Sequence, residues 1–344
     1  MTDVETKQRV RVRSLTESDY PAWTQLVDAS PHGSVYNLPT YLDVLCGAAG
    51  GKFAILGIER HDELVGGVAL YEMPHRLGSV ISNRLLLQYN GIVLARHDTK
   101  YPSERTSREI QLMTALATHL DEHPALRMLF HNRSPLSDWR AFRAQGWSVT
   151  PSYTYIVPIA DLDKQWEQVE RNLRRLINRC GKEGYQYDEA DDFAAFFALH
   201  SATHDRKGAP IYLPKPAFER YFTRLRAAGL ARLCHVRLPN SEQIIASQLV
   251  LHSAHPVTHT ASASADPQHI SSGANPFLRW QAFKSLAAAG YAANDLTDAS
   301  LNPVTHFKSQ FGGDLTTNWT VRRPDARRLA LYERKDDLLR WLGR

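Results

Sequence analysis

Phe307 and Phe311 stand four residues apart with Lys308 between them, in the segment NDLTDASLNPVTHFKSQFGG at 294–313. On a short helix this spacing buries both rings on one side and leaves Lys308 partly desolvated. An ammonium in that position stabilises an oxyanion far better than one in bulk water. The same spacing also suits a lysine that snorkels along an apolar surface.

A second concentration of charge lies in RNLRRLINRCGKEG at 171–184. There Leu173, Leu176, Ile177 and Cys180 recur at helical spacing, and Arg171, Arg174, Arg175, Arg179 and Lys182 line the other face. These cations form either a solvated helix face whose basic end complements the helix dipole or a patch for phosphate. In the second case the planar guanidinium fork binds oxyanions bidentately. THDRKG at 203–208 brings cations to a helix end ahead of the aromatic, proline-rich APIYLPKP, which contains Tyr212. That layout fits a substrate-facing lid as well as a capped surface turn. His252, His255 and His259 cluster in sequence, but strand and turn geometry scatters their rings and no carboxylate lies among them, so no metal site is expected. SSGANP at 271–276 opens a helix, with Asn275 the expected N-cap before Pro276.

The chain carrying these residues has 344 amino acids, 43% of them hydrophobic and 22% charged, the composition of a globular protein of roughly two domains. No apolar run approaches the roughly 18 residues of a membrane helix, and MTDVETKQRV at the start does not read as a secretory signal. The three cysteines are widely separated, which excludes a disulfide framework, and a cytoplasmic location is expected. The net charge of +5 favours anionic partners without naming one. No GxGxxG after a strand, GxxxxGK[ST], GxSxG or HExxH occurs, which argues against dinucleotide oxidoreductases, P-loop NTPases, serine hydrolases and zincins.

Periodicity predicts helices over 23–29, 38–46, 109–121, 162–180, 191–203, 216–228 and 276–289. Strands are predicted over 52–60, 63–74, 92–94, 126–131, 153–159, 231–238, 242–252, 256–263 and 291–296. His61 and Asp62 form a hairpin turn, and Asp161 caps the 162–180 helix. The element order occurs twice, which predicts two α/β halves joined near 146–152, with 319–344 an extended piece and a short basic helix returning to the first half.

In that order, VYNLPTYLDVL (35–45), HDELVGGVALY (61–71), QYNGIVL (88–94), GWSVTPSYTYIVPI (146–159), FFALHSATHDRKG (196–208), NPFLRWQAFKSLAAAGYAANDLTD (275–298) and HFKSQFGG (306–313) resemble the FemAB-like, peptidoglycan bridge-forming branch of the GNAT acyltransferase superfamily. The resemblance covers most of the chain. It implies two tandem GNAT-like domains, 1–150 with the tail 319–344 and 151–318 with the catalytic site, each a mixed, mostly antiparallel sheet flanked by helices. It implies acyl or aminoacyl transfer to an amine, with Lys308 stabilising the oxyanion, Phe307 shaping the site and Asp298 a candidate base. Arg206, in the family's Thr-x-x-Arg stretch with Thr203, is implied for acceptor phosphates, and Tyr212, Arg175 and Arg179 are further candidates for substrate binding. No metal or redox cofactor is needed; the activated donor, aminoacyl-tRNA or acyl-CoA, is a co-substrate. The cations from 171 to 182 extend over about 16 Å of helix, longer than one pyrophosphate needs, which favours tRNA. The sequence departs from the family in lacking the RxxGxG/A acetyl-CoA loop, the long helical arm of some members and a first-domain lysine near Tyr41. The alternative is a noncatalytic protein that holds RNA or an envelope glycan on the basic face.

Overall fold

The computed structural model describes residues 10–301 and 303–332. The described residues form two units, one built from 10–46, 50–151 and 318–332, the other from 47–49 and 152–317 without 302.

The first unit runs β1 (Val10–Ser14), α1 (Tyr20–Ala29), α2 (Pro39–Ala49), β2 (Lys52–Arg60), β3 (Glu63–His75), β4 (Gly78–Ile81), β5 (Ile92–Leu94), α3 (Pro102–Asp121), β6 (Arg127–Asn132) and α4 (Arg140–Ala144). His61 and Asp62, both at positive φ, make the two-residue turn of the β2–β3 hairpin. The helix expected from 109 starts at Pro102, because proline suits a first turn whose N–H groups have no intrahelical partner. Its apolar stripe, Leu112, Met113, Leu116 and Leu120, packs with Phe130, Phe142 and Trp147 in the core. The strands pair antiparallel except β4 with β6.

β7 (Ser148–Pro158) carries the chain into the second unit, which continues as α5 (Leu162–Gln168), α6 (Arg171–Glu183), β8 (Gln186–Asp188), α7 (Phe193–Lys207), α8 (Lys215–Ala227), β9 (Ala231–Arg237), β10 (Ile244–Leu251), β11 (Val257–Ala265), α9 (Ala274–Ala288), β12 (Ala293–Asp295) and α10 (Pro303–Ser309). Its strand order is β7-β12-β11-β10-β9-β8, antiparallel throughout except β11 with β12. β13 (Asp314–Arg322) returns the chain to the first unit, where Trp319–Arg322 pairs with β6 and Val321 enters the core. Residues 327–332 are helical, and the remainder of the expected basic helix, 333–344, lies outside the described residues.

Three local expectations differ from the structure. The helix expected over 162–180 is two, because Val169 and Glu170 are extended and the Glu170 N–H is drawn to Gln310 O at 2.9 Å. Asp161 caps the first, its side chain accepting from Lys164 N–H. α7 continues a turn beyond Thr203 and ends at Gly208, so THDRK is the last helical turn. α9 begins at Ala274 with Gly273 as its N-cap; Asn275 is already helical, and its Oδ1 is buried without a hydrogen-bond partner among the described residues. No helix among the described residues is long and apolar enough to cross a membrane.

Candidate active site

Phe311 is fully buried and sets α10 against the core, its ring 5.6 Å from Phe283 and 5.2 Å from Phe307. Lys308, 9% exposed, is thereby directed inward rather than along the surface. Its Nζ donates to the carbonyls of Thr297 and, at 2.6 Å, Asp298. An ammonium has three N–H groups, so two are engaged here and one remains for a ligand.

The carbonyl pair exists because Thr297 and Asp298 both adopt left-handed backbone, φ 49° and 48°. A β-branched threonine is rare there, and such strain persists only where the surroundings impose it. Asp295 imposes it. Fully buried at the end of β12, its Oδ1 accepts from Thr154 Oγ1 at 2.6 Å and from Thr297 N–H at 2.8 Å, while Oδ2 lies 3.6 Å from His259 Nδ1. Burial, reinforced by the charge of Arg279, pulls Lys308 down to about 8 against the opposing pull of Asp298 and Asp295.

α7 supplies a second wall. His200 is fully buried, its Nδ1 3.2 Å from Ser262 Oγ on β11, and its Nε2 has no partner among the described residues. The buried Thr203 Oγ1 is likewise without one. Tyr212 lies edge-on to His200 and His204, with centroids 4.8 and 5.1 Å away, and burial together with the Asp298 charge raises its pKa. Burial, and then His204, hold His200 down to about 4, so it is neutral at pH 7. The structure thus brings together Lys308, Phe307, Asp298 and Tyr212, with the α7 turn of Thr203 alongside. The Asp298 carboxylate is exposed and accepts from Ser300 N–H at 3.1 Å and Ser300 Oγ at 2.5 Å. Arg206 is exposed on the last turn of α7, and it is the neighbouring Lys207 whose charge reaches Lys308.

The basic helix α6 lines a groove of about 1030 Å³ with Arg171, Arg174, Arg175 and Lys182, closed by Trp166 and Glu170. Arg179 also borders it, while its Nη2 donates to Ser271 O and, at 2.5 Å, Ser272 O, tying α6 to the segment before α9. The histidines that cluster in sequence have separate partners. His252 Nδ1 meets Tyr291 OH at 2.9 Å, His235 bridges Ser247 Oγ and Ala190 O, and His255 Nδ1 accepts from Val257 N–H.

β11 and β12 pair over three residues only, Val257–His259 with Ala293–Asp295. Beyond that β11 runs on to Ala265, hydrogen-bonded to β10 on one side and to no described strand on the other. Its residues here are small, and Ala261 and Ala263 are half-exposed. The parallel pairing therefore ends at His259 and Asp295, where the 296–301 loop follows β12 and its Thr297 and Asp298 carbonyls hold Lys308, the usual end for a ligand in a sheet with parallel strands. Spacing alone missed two features, the carbonyl pair and Arg279 on α9. The first has no side-chain signature, and the second is embedded in the apolar run NPFLRWQAF.

Residues 167–309 match a family model described as an acetyltransferase (GNAT) domain. No curated protein matches the chain. Among solved structures, FemX superimposes with a TM-score of 0.68 at 13% identity, over 90% of this chain and 96% of FemX. The L-PGS of Bacillus licheniformis gives 0.55 at 12%, over 92% and 95%. A tandem GNAT protein from the clavulanic acid biosynthesis pathway, solved without AcCoA, gives 0.55 at 10%, over 92% and 98%.

Proposed function

From a chain with the tandem GNAT fold of the FemAB-like branch, we propose an acyltransferase that joins an acyl or aminoacyl group to the amine of an acceptor. The observation that carries this reading is Lys308, a buried ammonium held on two main-chain carbonyls, with one N–H unspent, beside the carboxyl end of the β11–β12 parallel pairing. The amine's lone pair forms the new C–N bond while the carbonyl π pair moves onto oxygen, beside Lys308. The tetrahedral carbon then expels the ribose oxygen of tRNA or the sulfur of CoA. The proton lost from nitrogen passes through the exposed Asp298 carboxylate to the leaving group. Phe307 walls the site, and Thr203, Tyr212 and Arg206 on and after α7 face the acceptor, Arg206 meeting an acceptor phosphate.

For the donor, the groove of Arg171, Arg174, Arg175, Arg179 and Lys182 supports aminoacyl-tRNA, with Arg179 Nη2 also holding the segment before α9. The edge of β11 beyond Thr260, which pairs with no described strand, supports a second reading, acyl-CoA, whose amide-bearing arm can bond to strand N–H and C=O groups. The clavulanic acid pathway protein, named with reference to AcCoA, adds weight to it. Incubation with each donor and a panel of amines, phosphorylated ones included, tests the proposal. A new amide by mass spectrometry, absent with Lys308→Met, is expected; amide formed equally well by the variant would remove Lys308 from the chemistry.

A further inference from the structure

Arg279 lies in the middle of α9, 5% exposed. Its Nε and Nη1 have no hydrogen-bond partner, and it makes no ion pair among the described residues. Its guanidinium carbon is 5.8 Å from the Phe307 ring centroid. One turn earlier on the same helix, Asn275 Oδ1 is also buried and unpartnered. A buried guanidinium is costly unless something satisfies it, and here the strongest charge acting on Lys308 is that same cation, which adds repulsion. Contact with an aromatic face leaves the in-plane N–H groups unspent, the geometry in which arginine grips an oxyanion.

We propose that Arg279 is the anchor of an oxyanion subsite, taking a carboxylate or phosphate of the substrate on which Lys308 acts, with Asn275 Oδ1 accepting from a donor next to that group. Burial holds the guanidinium down to about 10, as expected of a cation whose partner comes from outside the chain. Phe307 touches Arg279 with its ring and precedes Lys308 in the chain, so a substrate held at Arg279 can present a different atom to Lys308. The inference rests on the acyl-transfer reading only for the identity of the substrate.

The test needs no turnover. Thermal unfolding of the intact protein and of Arg279→Met is followed against inorganic phosphate and, separately, acetate, at constant ionic strength set with chloride. The parent should gain stability saturably with at least one anion, and which anion does so separates phosphate from carboxylate. Arg279→Met should unfold at or above the parent's midpoint without anion and bind about ten- to a hundredfold more weakly. Arg279→Lys should fall between them. Equal responses of parent and Arg279→Met would assign the anion to the α6 groove and overturn the subsite. A less stable Arg279→Met with no anion response in either protein would overturn it too, leaving Arg279 a packing residue. Saturable, Arg279-dependent binding without turnover of any amine would sink the proposed function and leave the subsite standing.

Discussion

Lys308 acts as an oxyanion partner only while protonated, and its lowered pKa makes that condition measurable. The rate should fall as pH rises through about 8, and Lys308→Arg should move the fall upward if it retains activity. Lys308→Met should lower kcat by about 10²- to 10³-fold, the loss expected for one oxyanion donor, with little change in acceptor binding. The linkage has a definite sign. A lysine depressed from 10.5 to about 8 binds fewer protons folded than unfolded across that interval, so its burden on stability is full below pH 8 and lifts as pH rises towards 10.5. Denaturant midpoints at pH 7.5 and 9.5 should therefore rise less in Lys308→Met than in the parent. Lys308 itself was legible, because Phe307 and Phe311 mark the buried side of its helix. Its partners were not, since a carbonyl belongs to every residue and only the left-handed turn at Thr297 and Asp298 turns two of them inward. Arg179 shows a second role that a basic stripe does not announce, its Nη2 holding the carbonyls of Ser271 and Ser272 while the residue still borders the groove.

At the scale of elements, the joint between α6 and α9 rests on Gly273, at φ 94°. A Cβ there would stand 3.1 Å from Leu176 Cβ and 3.2 Å from Cys180 Sγ. Gly273→Ala should therefore cost about 1–3 kcal/mol, combining left-handed strain with crowding, and should lower the thermal midpoint without removing the fold. The long or strongly patterned elements were legible, and the β2–β3 hairpin came with its own turn in His61 and Asp62. What escaped depends on distant chain. The α5–α6 break is made by Gln310, 140 residues away from Glu170, and nothing in 162–180 announces it. β8 and β4 are three and four residues long, too short for alternation to show, and exist as strands because β9, β3 and β6 offer edges to them.

On the scale of the whole molecule, both units carry the same acid liability. Burial is the main force holding His32 in the first unit and His200 and His252 in the second down to about 4. Each contributes fully above 6.5 and loses its contribution as pH falls from there towards 4, so denaturant midpoints should drop between pH 7 and 5 for both units. Salt separates the donors. A tRNA donor touching several groove cations should lose affinity steeply between 50 and 200 mM salt, by a logarithmic slope of about −0.9 per duplex phosphate contact, and Arg174→Ala with Arg175→Ala should flatten it. Acyl-CoA should give a shallow slope, and tRNA binding no better than a generic polyanion would discard the tRNA reading. The path of the chain has a further consequence, which concerns synthesis. The first unit lacks the strand pairing with β6, Val321 of its core and the Arg323 that donates to Leu120 O and His123 O until residues past 318 exist. On a ribosome, the second unit, contiguous from 152 to 317 but for three residues, can therefore mature while the first waits open, so the amino-terminal half is the later to be finished and the one chaperones must shield longest.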